Sequence, residues 1–428
     1  MMVKKNTILP KQRKQYLIIG NSAAGISAAR EIRRQDPRGR ITMFSDEPTF
    51  GYSRVMLPLY LAGKIRKSGL MIAPRESYAR LGIQLLRGDP VESINPKGQR
   101  ALTRKGTHLP YDQLLVATGS SPRTLSVPGN TLAGIHYLRK INDAEDIRND
   151  LSNFSGPVLI IGGGLVSVKS LEALVHKGRK VHMVISSDRI LSQMLDQRAS
   201  NLYRNLLQKK GVILRFHTDV LSFEGKERMA GVCLSDGTFL ACSLAIIGKG
   251  VKPNVAFLDG TGIGLNEGVV VDSRLATNLP SIYAAGDVAE TLDPLKKKHQ
   301  AQAIWPLAVE GGRVAGSNMA SSVSTLRGAL RMNVVDLLGL KAVSVGADEG
   351  QEVLSYFPPG KSVYRKLVFS GGRLTGYLLV GDIRCAGVLT FLVKNGTPVS
   401  PADLEEGLER GFSFSPKLRS LAGQVKLS

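Results

Sequence analysis

Two glycine-rich segments carry the most legible chemistry in this sequence: Gly20-Asn21-Ser22-Ala23-Ala24-Gly25 and Gly162-Gly163-Gly164-Leu165-Val166-Ser167. Each follows a short apolar run, residues 16–19 and 158–161, and each opens into an amphipathic stretch. Glycine suits such a turn because the chain bends tightly, the backbone must approach a pyrophosphate, and the next helix must offer unpaired N–H groups to the anion. Ser22 stands where a second glycine is usual and Ser167 where a third is; both are small enough to keep that approach open. One such loop is weak evidence, since a glycine-rich strand-to-helix turn is often only tight packing. Two at this separation imply two dinucleotides.

The surrounding pattern supplies the elements that position these loops. Residues 16–20 read as a strand, 25–35 as a helix and 41–44 as a second strand ending in Ser45-Asp46-Glu47. An acid just past the second strand is where a ribose hydroxyl is held, which selects Asp46, with Glu47 as the alternative. Residues 111–119 read as a strand closing in the small-residue turn Ala117-Thr118-Gly119. Far downstream, a strand within 277–287 delivers Asp287 into a glycine turn at Gly286.

A chain of 428 residues exceeds what one hydrophobic core usually supports, so two or three domains are expected. No apolar stretch reaches the roughly 20 residues needed to span a bilayer. The basic start runs straight into the first strand rather than into a signal-peptide core, so a soluble, cytoplasmic protein without membrane contact is expected. Cys233, Cys242 and Cys385 are scattered, which argues against a disulfide framework, a zinc site or an iron–sulfur cluster and leaves buried free thiols and no metal. The 57 Lys plus Arg against 35 Asp plus Glu give +22, a field that attracts acidic partners. The basic residues are dispersed and no nucleic-acid module is legible, so an acidic protein is the better-fitting partner, not nucleic acid. General solubility accounts for the charge equally well. The runs 11–14 and 296–299 read as solvated surface or tail.

The order of these motifs resembles the FAD-dependent pyridine nucleotide–disulfide oxidoreductase family over essentially the whole chain. Gly20, Ser22, Ala23, Ala24 and Gly25 are similar to its FAD pyrophosphate loop, Ala117, Thr118 and Gly119 to its second FAD contact, and Gly286 and Asp287 to the segment whose aspartate holds the ribityl chain. Gly248-Lys249-Gly250-Val251-Lys252-Pro253-Asn254 matches the signature that closes the inserted nucleotide domain. The resemblance implies an α/β fold of two Rossmann-like domains, the NAD(P)H domain inserted in the FAD domain, plus a small α+β C-terminal domain that often dimerises. The expected limits are 1–122 and 245–325 for FAD, 123–244 for NAD(P)H and 326–428 for the C-terminal domain. In the last, Gly371-Gly372 between two strand-like runs signals a hairpin.

Departures from the family narrow the chemistry. Ser53 stands about where the redox cysteine would be, and a hydroxyl can form neither a mixed disulfide nor a sulfenic acid at neutral pH. Tyr52-Ser53-Arg54 resembles the Tyr-x-Arg segment of reductases that serve rubredoxin, ferredoxin or a nitrite-reducing centre, which implies Arg54 as an FAD contact. Trp305 resembles the start of the helix that approaches the flavin. In the second loop, Gly162, Gly164, Leu165, Val166, Ser167 and, in the closing signature, Gly250 are the expected NAD(P)H contacts. Lys169 replaces a glutamate and Leu165 a gating tyrosine. Ile185 replaces the NADH-selecting acid, which opens NADPH with Ser186, Ser187 or Arg189 as phosphate ligands, while Asp188 would serve NADH.

The expected activity is electron transfer from NAD(P)H through FAD to a small acidic carrier such as rubredoxin or ferredoxin. A cysteine-independent NAD(P)H oxidase and a reductase subunit of a larger redox assembly are alternatives. A redox-responsive flavin-binding protein with negligible turnover is the alternative of another class.

Overall fold

The computed structural model describes residues 13–411 except 296, 327 and 329. The run Gln15–Ile19 becomes the central strand of a five-stranded parallel sheet, flanked by Arg40–Ser45 and Gln113–Val116, with Ile83–Arg87 and Ile282–Ala284 at the edges. Leu17, Ile18, Ile41, Met43, Leu114 and Leu115 are all buried, which is why these strands read as continuous apolar runs rather than alternating ones. The edge strand Ile282–Ala284 returns from far downstream, so the first domain is discontinuous in sequence.

Against this sheet the helix Ala23–Gln35 crosses the helix Trp305–Met319 at close range. A Cβ at Gly312 would lie 2.2 Å from the Ala24 carbonyl oxygen, and one at Gly316 2.6 Å from that of Ala28. Neither obstruction is a side chain that can swing away, so the crossing depends on these glycines. Gly312→Ala is expected to lower stability by about 1–3 kcal/mol, visible as a fall in thermal midpoint; an unchanged midpoint would contradict the packing described.

The second sheet repeats the plan, in the order Ile135–Tyr137, Leu244–Ile247, Val158–Ile161, Val181–Ile185 and Ile213–Phe216, all parallel. Each parallel sheet is accompanied by a three-stranded antiparallel meander, Val91–Asn95, Arg100–Thr103 and His108–Pro110 in one case, Val220–Gly225, Met229–Leu234 and Phe239–Ala241 in the other. Where the chain passes between the units, Ser120–Pro122 pairs antiparallel with Val251–Pro253. Leu244–Ile247 pairs with both Ile135–Tyr137 and Val158–Ile161, so a boundary drawn after residue 244 runs through the second sheet. The crossing lies a few residues later, at the ribbon.

The C-terminal part is a five-stranded antiparallel sheet ordered Met332–Leu337, Leu340–Gly346, Arg373–Val380, Tyr364–Ser370 and Glu352–Tyr356. The expected hairpin is present, with Gly371 and Gly372 at φ +59° and +66°, both in the left-handed region a two-residue turn needs. One face packs the helices Ala386–Asn395 and Pro401–Arg410 through Leu367, Leu379, Leu389, Leu392 and Leu404. The other face, with Val335, Leu378 and Val380, shares a core with Leu191, Leu195 and Tyr203 of the second parallel-sheet unit. Tyr203 donates to the Leu340 carbonyl at 3.1 Å and Tyr364 to Asp196 at 2.7 Å, which locks the two parts in register.

All three cysteines are free, but only Cys242 is buried; Cys233, on the strand Met229–Leu234, and Cys385, at the N-cap of the helix Ala386–Asn395, are partly exposed. Burial pushes the Cys242 thiol up to about 12. Among the described residues no cluster of His, Cys, Asp or Glu could hold a metal ion, and no helix is long and apolar enough to cross a membrane. Of the basic runs, Lys11, Gln12 and Lys296 lie outside the described residues. Lys14 is not free tail: its ammonium donates to the Met319 carbonyl at 2.9 Å and to Ser321, tying the first strand to the end of the crossing helix.

Candidate functional site: a dinucleotide cleft and a second nucleotide turn

The carboxyl ends of the first sheet open into a cleft of about 460 Å3, in the range of cofactor pockets. Gly20, Ser22, Ala23 and Ala24 line it, as do Asp46, Glu47, Arg54, Ala117, Thr118, Gly119, Gly286, Asp287 and Trp305. Gly25 does not: it packs beneath the turn, where a Cβ would lie 2.0 Å from the Gly20 carbonyl oxygen. Gly20 itself, at φ +131°, leaves no room for a side chain against the Ala117 carbonyl. The turn thus requires glycine at both ends, one for chain direction and one for helix-to-strand packing.

Two helices aim their N-termini at this cleft, Ala23–Gln35 behind Ser22 and Trp305–Met319 behind Ile304. Neither carries an acid in its first turn, and neither N-cap residue caps it with a side chain. The free N–H groups and a partial charge of roughly +0.5 at each helix start favour an anionic ligand.

Three ion pairs line the cleft wall, and Asp143 beside them accepts from the backbone N–H groups of Arg139 and Lys140, both at 2.7 Å. Arg54 binds Glu47 at 2.7 Å and Tyr52 Oη at 3.0 Å, while Tyr52 donates to the other Glu47 oxygen at 2.8 Å. Burial pushes the Tyr52 hydroxyl above its ordinary value, so it keeps the proton it donates. Lys140 reaches Asp46 at 2.8 Å; Asp46 is about half exposed and Glu47 buried. The third pair is Arg139 with Asp287 at 2.7 Å, and Ser120 Oγ donates to the same Asp287 oxygen at 2.8 Å. Ser53, between Tyr52 and Arg54, is buried and lies outside the cleft lining.

Sequence reasoning missed Arg139, Lys140, Ser120 and Tyr52. Arg139 and Lys140 come from the inserted unit, just before the helix Ile141–Asn153, and reach back across the boundary; Arg54 also donates to the Arg139 carbonyl at 2.9 Å. Nothing local marks residue 139 as part of the first domain's cleft. Tyr52 and Ser120 are adjacent to motifs that had drawn attention, and that adjacency was the available signal.

In the second sheet, Gly162 at φ +104° turns against Gly248, whose carbonyl oxygen a Cβ would approach to 2.4 Å. Ser167 is fully buried, its hydroxyl on the carbonyls of Ile161 and Gly248 at 3.4 and 3.3 Å. The serine in place of the third glycine therefore braces two strands and takes nothing from the space above the turn. Gly164 caps the helix Leu165–His176, whose first turn carries no acid; Val166 is exposed there and Leu165 half-buried. Gly250 sits in the inter-domain ribbon, its carbonyl accepting from Arg123 N at 3.0 Å.

Of the residues expected to choose between nucleotides, Ser187, Asp188 and Arg189 find partners within their own loop and Ser186 beyond it. Ser187 Oγ donates to the Arg189 carbonyl at 2.9 Å; Arg189 pairs with Asp188 at 3.0 Å and donates to the Leu195 carbonyl at 3.1 Å. Ser186 contacts Asp219 and Lys249. Lys169 donates to Glu172 and to the Asp336 carbonyl of the C-terminal sheet, and Lys64 reaches Glu172 at 3.1 Å. Burial raises the Glu172 carboxyl, but the hydrogen bonds from Lys169 and Lys64 outweigh it and hold the group below the usual carboxylate range. The charge reversed at position 169 is thus absorbed one turn along the same helix.

Fold and site together define a protein with two dinucleotide-binding units in one chain. The profile of the pyridine nucleotide-disulphide oxidoreductases matches residues 14–312, and the chain belongs to this family of FAD-dependent NAD(P)H oxidoreductases. It is 29% identical to the assimilatory nitrate reductase electron transfer subunit of Bacillus subtilis over 87% of this chain and 48% of that protein, so it spans about half the length of that relative. It is 30% identical to the NADH-dependent phenylglyoxylate dehydrogenase subunit epsilon of Aromatoleum evansii over 90% of this chain and 93% of that one. Among solved structures, the covalent putidaredoxin reductase–putidaredoxin complex superposes with a TM-score of 0.87 at 25% identity, covering 97% of this chain and 99% of that chain.

Proposed function

We propose that the chain passes electrons from a nicotinamide nucleotide through FAD to a small acidic electron-carrier protein of the rubredoxin or ferredoxin kind. The observation that carries this reading is the cleft itself: two helix N-termini, Asp287 and Trp305 converge there, and no cysteine is among its lining residues. FAD, when bound, accepts two electrons as hydride and can release them singly, while the protein supplies orientation and electrostatics. Gly20, Ser22, Ala23 and Ala24 hold the pyrophosphate on the helix start, with Gly25 supporting the turn from below; Asp46 or Glu47 takes the adenosine ribose, Asp287 the ribityl chain, and Ala117, Thr118, Gly119, Gly286, Arg54 and Trp305 the remaining wall. Gly162, Gly164, Leu165, Val166 and Gly250 receive the nicotinamide nucleotide. The domain limits that go with these roles are 13–122 with about 251–325 for FAD, 123–250 for the nucleotide, and the rest for the C-terminal domain.

The carrier follows from the missing thiol, which removes disulfide and peroxide chemistry that needs one, and from the net charge of +22. The putidaredoxin reductase complex supports the same class of partner. A reductase subunit of a larger assembly is the second reading, favoured by the named roles of the Bacillus and Aromatoleum relatives as subunits. The test is oxygen uptake with NADH and NADPH, with and without an oxidised ferredoxin or rubredoxin. Carrier reduction outpacing oxygen uptake is expected; steady oxygen uptake that a carrier does not divert would move the reading to an oxidase.

Ser53→Ala separates this chemistry from that of a redox-active residue. Flavin reduction by the nucleotide is expected to stay within about a factor of two, under ~0.4 kcal/mol in barrier. A large loss, measured by anaerobic stopped flow, would give Ser53 a part in catalysis that the reading denies it.

A further inference from the structure

At the carboxyl edge of the second sheet a lysine crosses the place where a ligand would lie. Lys249 follows the strand Leu244–Ile247 and Ser186 follows Val181–Ile185; between them runs Val158–Ile161, which carries the glycine turn. The Lys249 ammonium nonetheless donates to Ser186 Oγ and, at 2.8 Å, to Asp219 Oδ1. Its side chain therefore bridges the ends of the strands, over the crevice in which open α/β sheets bind their ligands.

In such units an acid ending the second strand accepts from the ribose 2′-hydroxyl and repels a 2′-phosphate. Here that strand ends in buried Ile185, followed by the exposed hydroxyl of Ser186 and the incoming ammonium of Lys249. We propose that Lys249 and Ser186 form a 2′-phosphate subsite, so that the chain takes NADPH in preference to NADH, with Asp219 holding Lys249 in position until the phosphate displaces it. The inference rests on reading this domain as the nicotinamide-nucleotide domain.

The exchange is favourable on physical grounds. Asp219 is 54% exposed, so its pair with Lys249 is weak and screened by water. Hydrogen bonds from Lys249 and then Ser186 hold the Asp219 carboxyl below its ordinary value, so the pair forms in its ionised state. A phosphate ester brings nearly two negative charges and three acceptor oxygens to the same donors. Arg189, in the loop that follows Val181–Ile185, faces Asp188 and the Leu195 carbonyl instead.

The test uses the purified holoprotein and two probes that share an adenosine 5′-phosphate, AMP and 2′-phospho-AMP, titrated calorimetrically. Wild type is expected to bind 2′-phospho-AMP at least about tenfold more tightly than AMP. Lys249→Met should erase that difference while leaving AMP affinity within about twofold, and Lys249→Arg should retain it. The ratio of kcat/KM for NADPH over NADH should fall with Lys249→Met in parallel. Equal affinity of the probes for wild type, or an unchanged preference in Lys249→Met, would overturn the assignment. If NADH bleaches the flavin while 2′-phospho-AMP fails to compete, the subsite alone is wrong. If neither probe binds and neither nucleotide bleaches the flavin, the domain reading beneath it falls as well.

Discussion

Asp287→Ala is expected to purify with most of its FAD missing, its retention weakened at least about tenfold, or ~1.4 kcal/mol. The strand Ile282–Ala284 and the turn at Gly286, φ +82°, deliver this aspartate to the cleft, and its carboxylate gathers Ser120 from the first domain and Arg139 from the inserted one. Removing it deletes the acceptor assigned to the ribityl chain and leaves the Arg139 guanidinium, only 20% exposed, without a carboxylate. An unpaired, largely desolvated cation costs more than the loss of a surface contact. Arg139→Ala separates the two effects, since it breaks the inter-domain tie but spares Asp287. The flavin-to-protein absorbance ratio after purification reads the result, with circular dichroism to establish that the variant is folded. Full yellow occupancy in folded Asp287→Ala would remove this residue from the cofactor site.

Turnover with an acidic carrier should collapse with salt. A net charge of +22 raises the encounter rate with an anionic protein, and steered association exceeds the unsteered rate by 10- to 1,000-fold in general. Screening shortens the reach of such a field to roughly 10 Å at 0.1 M and 3 Å at 1 M ionic strength. Carrier-dependent kcat/KM is therefore expected to drop about tenfold or more between these limits, while reduction of oxygen, a neutral acceptor, stays nearly level. A flat profile with the carrier would assign the basic surface to solubility alone.

Much of this architecture was legible because its signals are local. Gly20 and Gly162 are fixed by turns no side chain fits, each between a buried apolar strand and a helix start, and those constraints act within a few residues. The Gly371-Gly372 hairpin was readable for the same reason. The illegible parts depend on long-range placement. Arg139 belongs by sequence to one domain and by geometry to the other domain's cleft, 148 residues from its partner Asp287. Hydrophobicity could not assign the strand Leu244–Ile247 to one sheet or the other, since both are built from apolar parallel strands; only its pairing places it. Ser186 was a candidate by position, but its pairing with Lys249 spans 63 residues and two motifs that read as separate. Arg189 pairs with its neighbour Asp188 and donates to the Leu195 carbonyl, contacts that lie within its own loop.

The most direct measurement is anaerobic stopped-flow absorbance of the flavin, mixing the purified protein with NADH and with NADPH and then with an oxidised ferredoxin or rubredoxin. The account predicts rapid bleaching by a nicotinamide nucleotide, faster with NADPH, followed by return of the flavin colour as the carrier is reduced. Bleaching that only oxygen reverses would contradict the carrier assignment, and a flavin that neither nucleotide bleaches would contradict electron transfer through this chain.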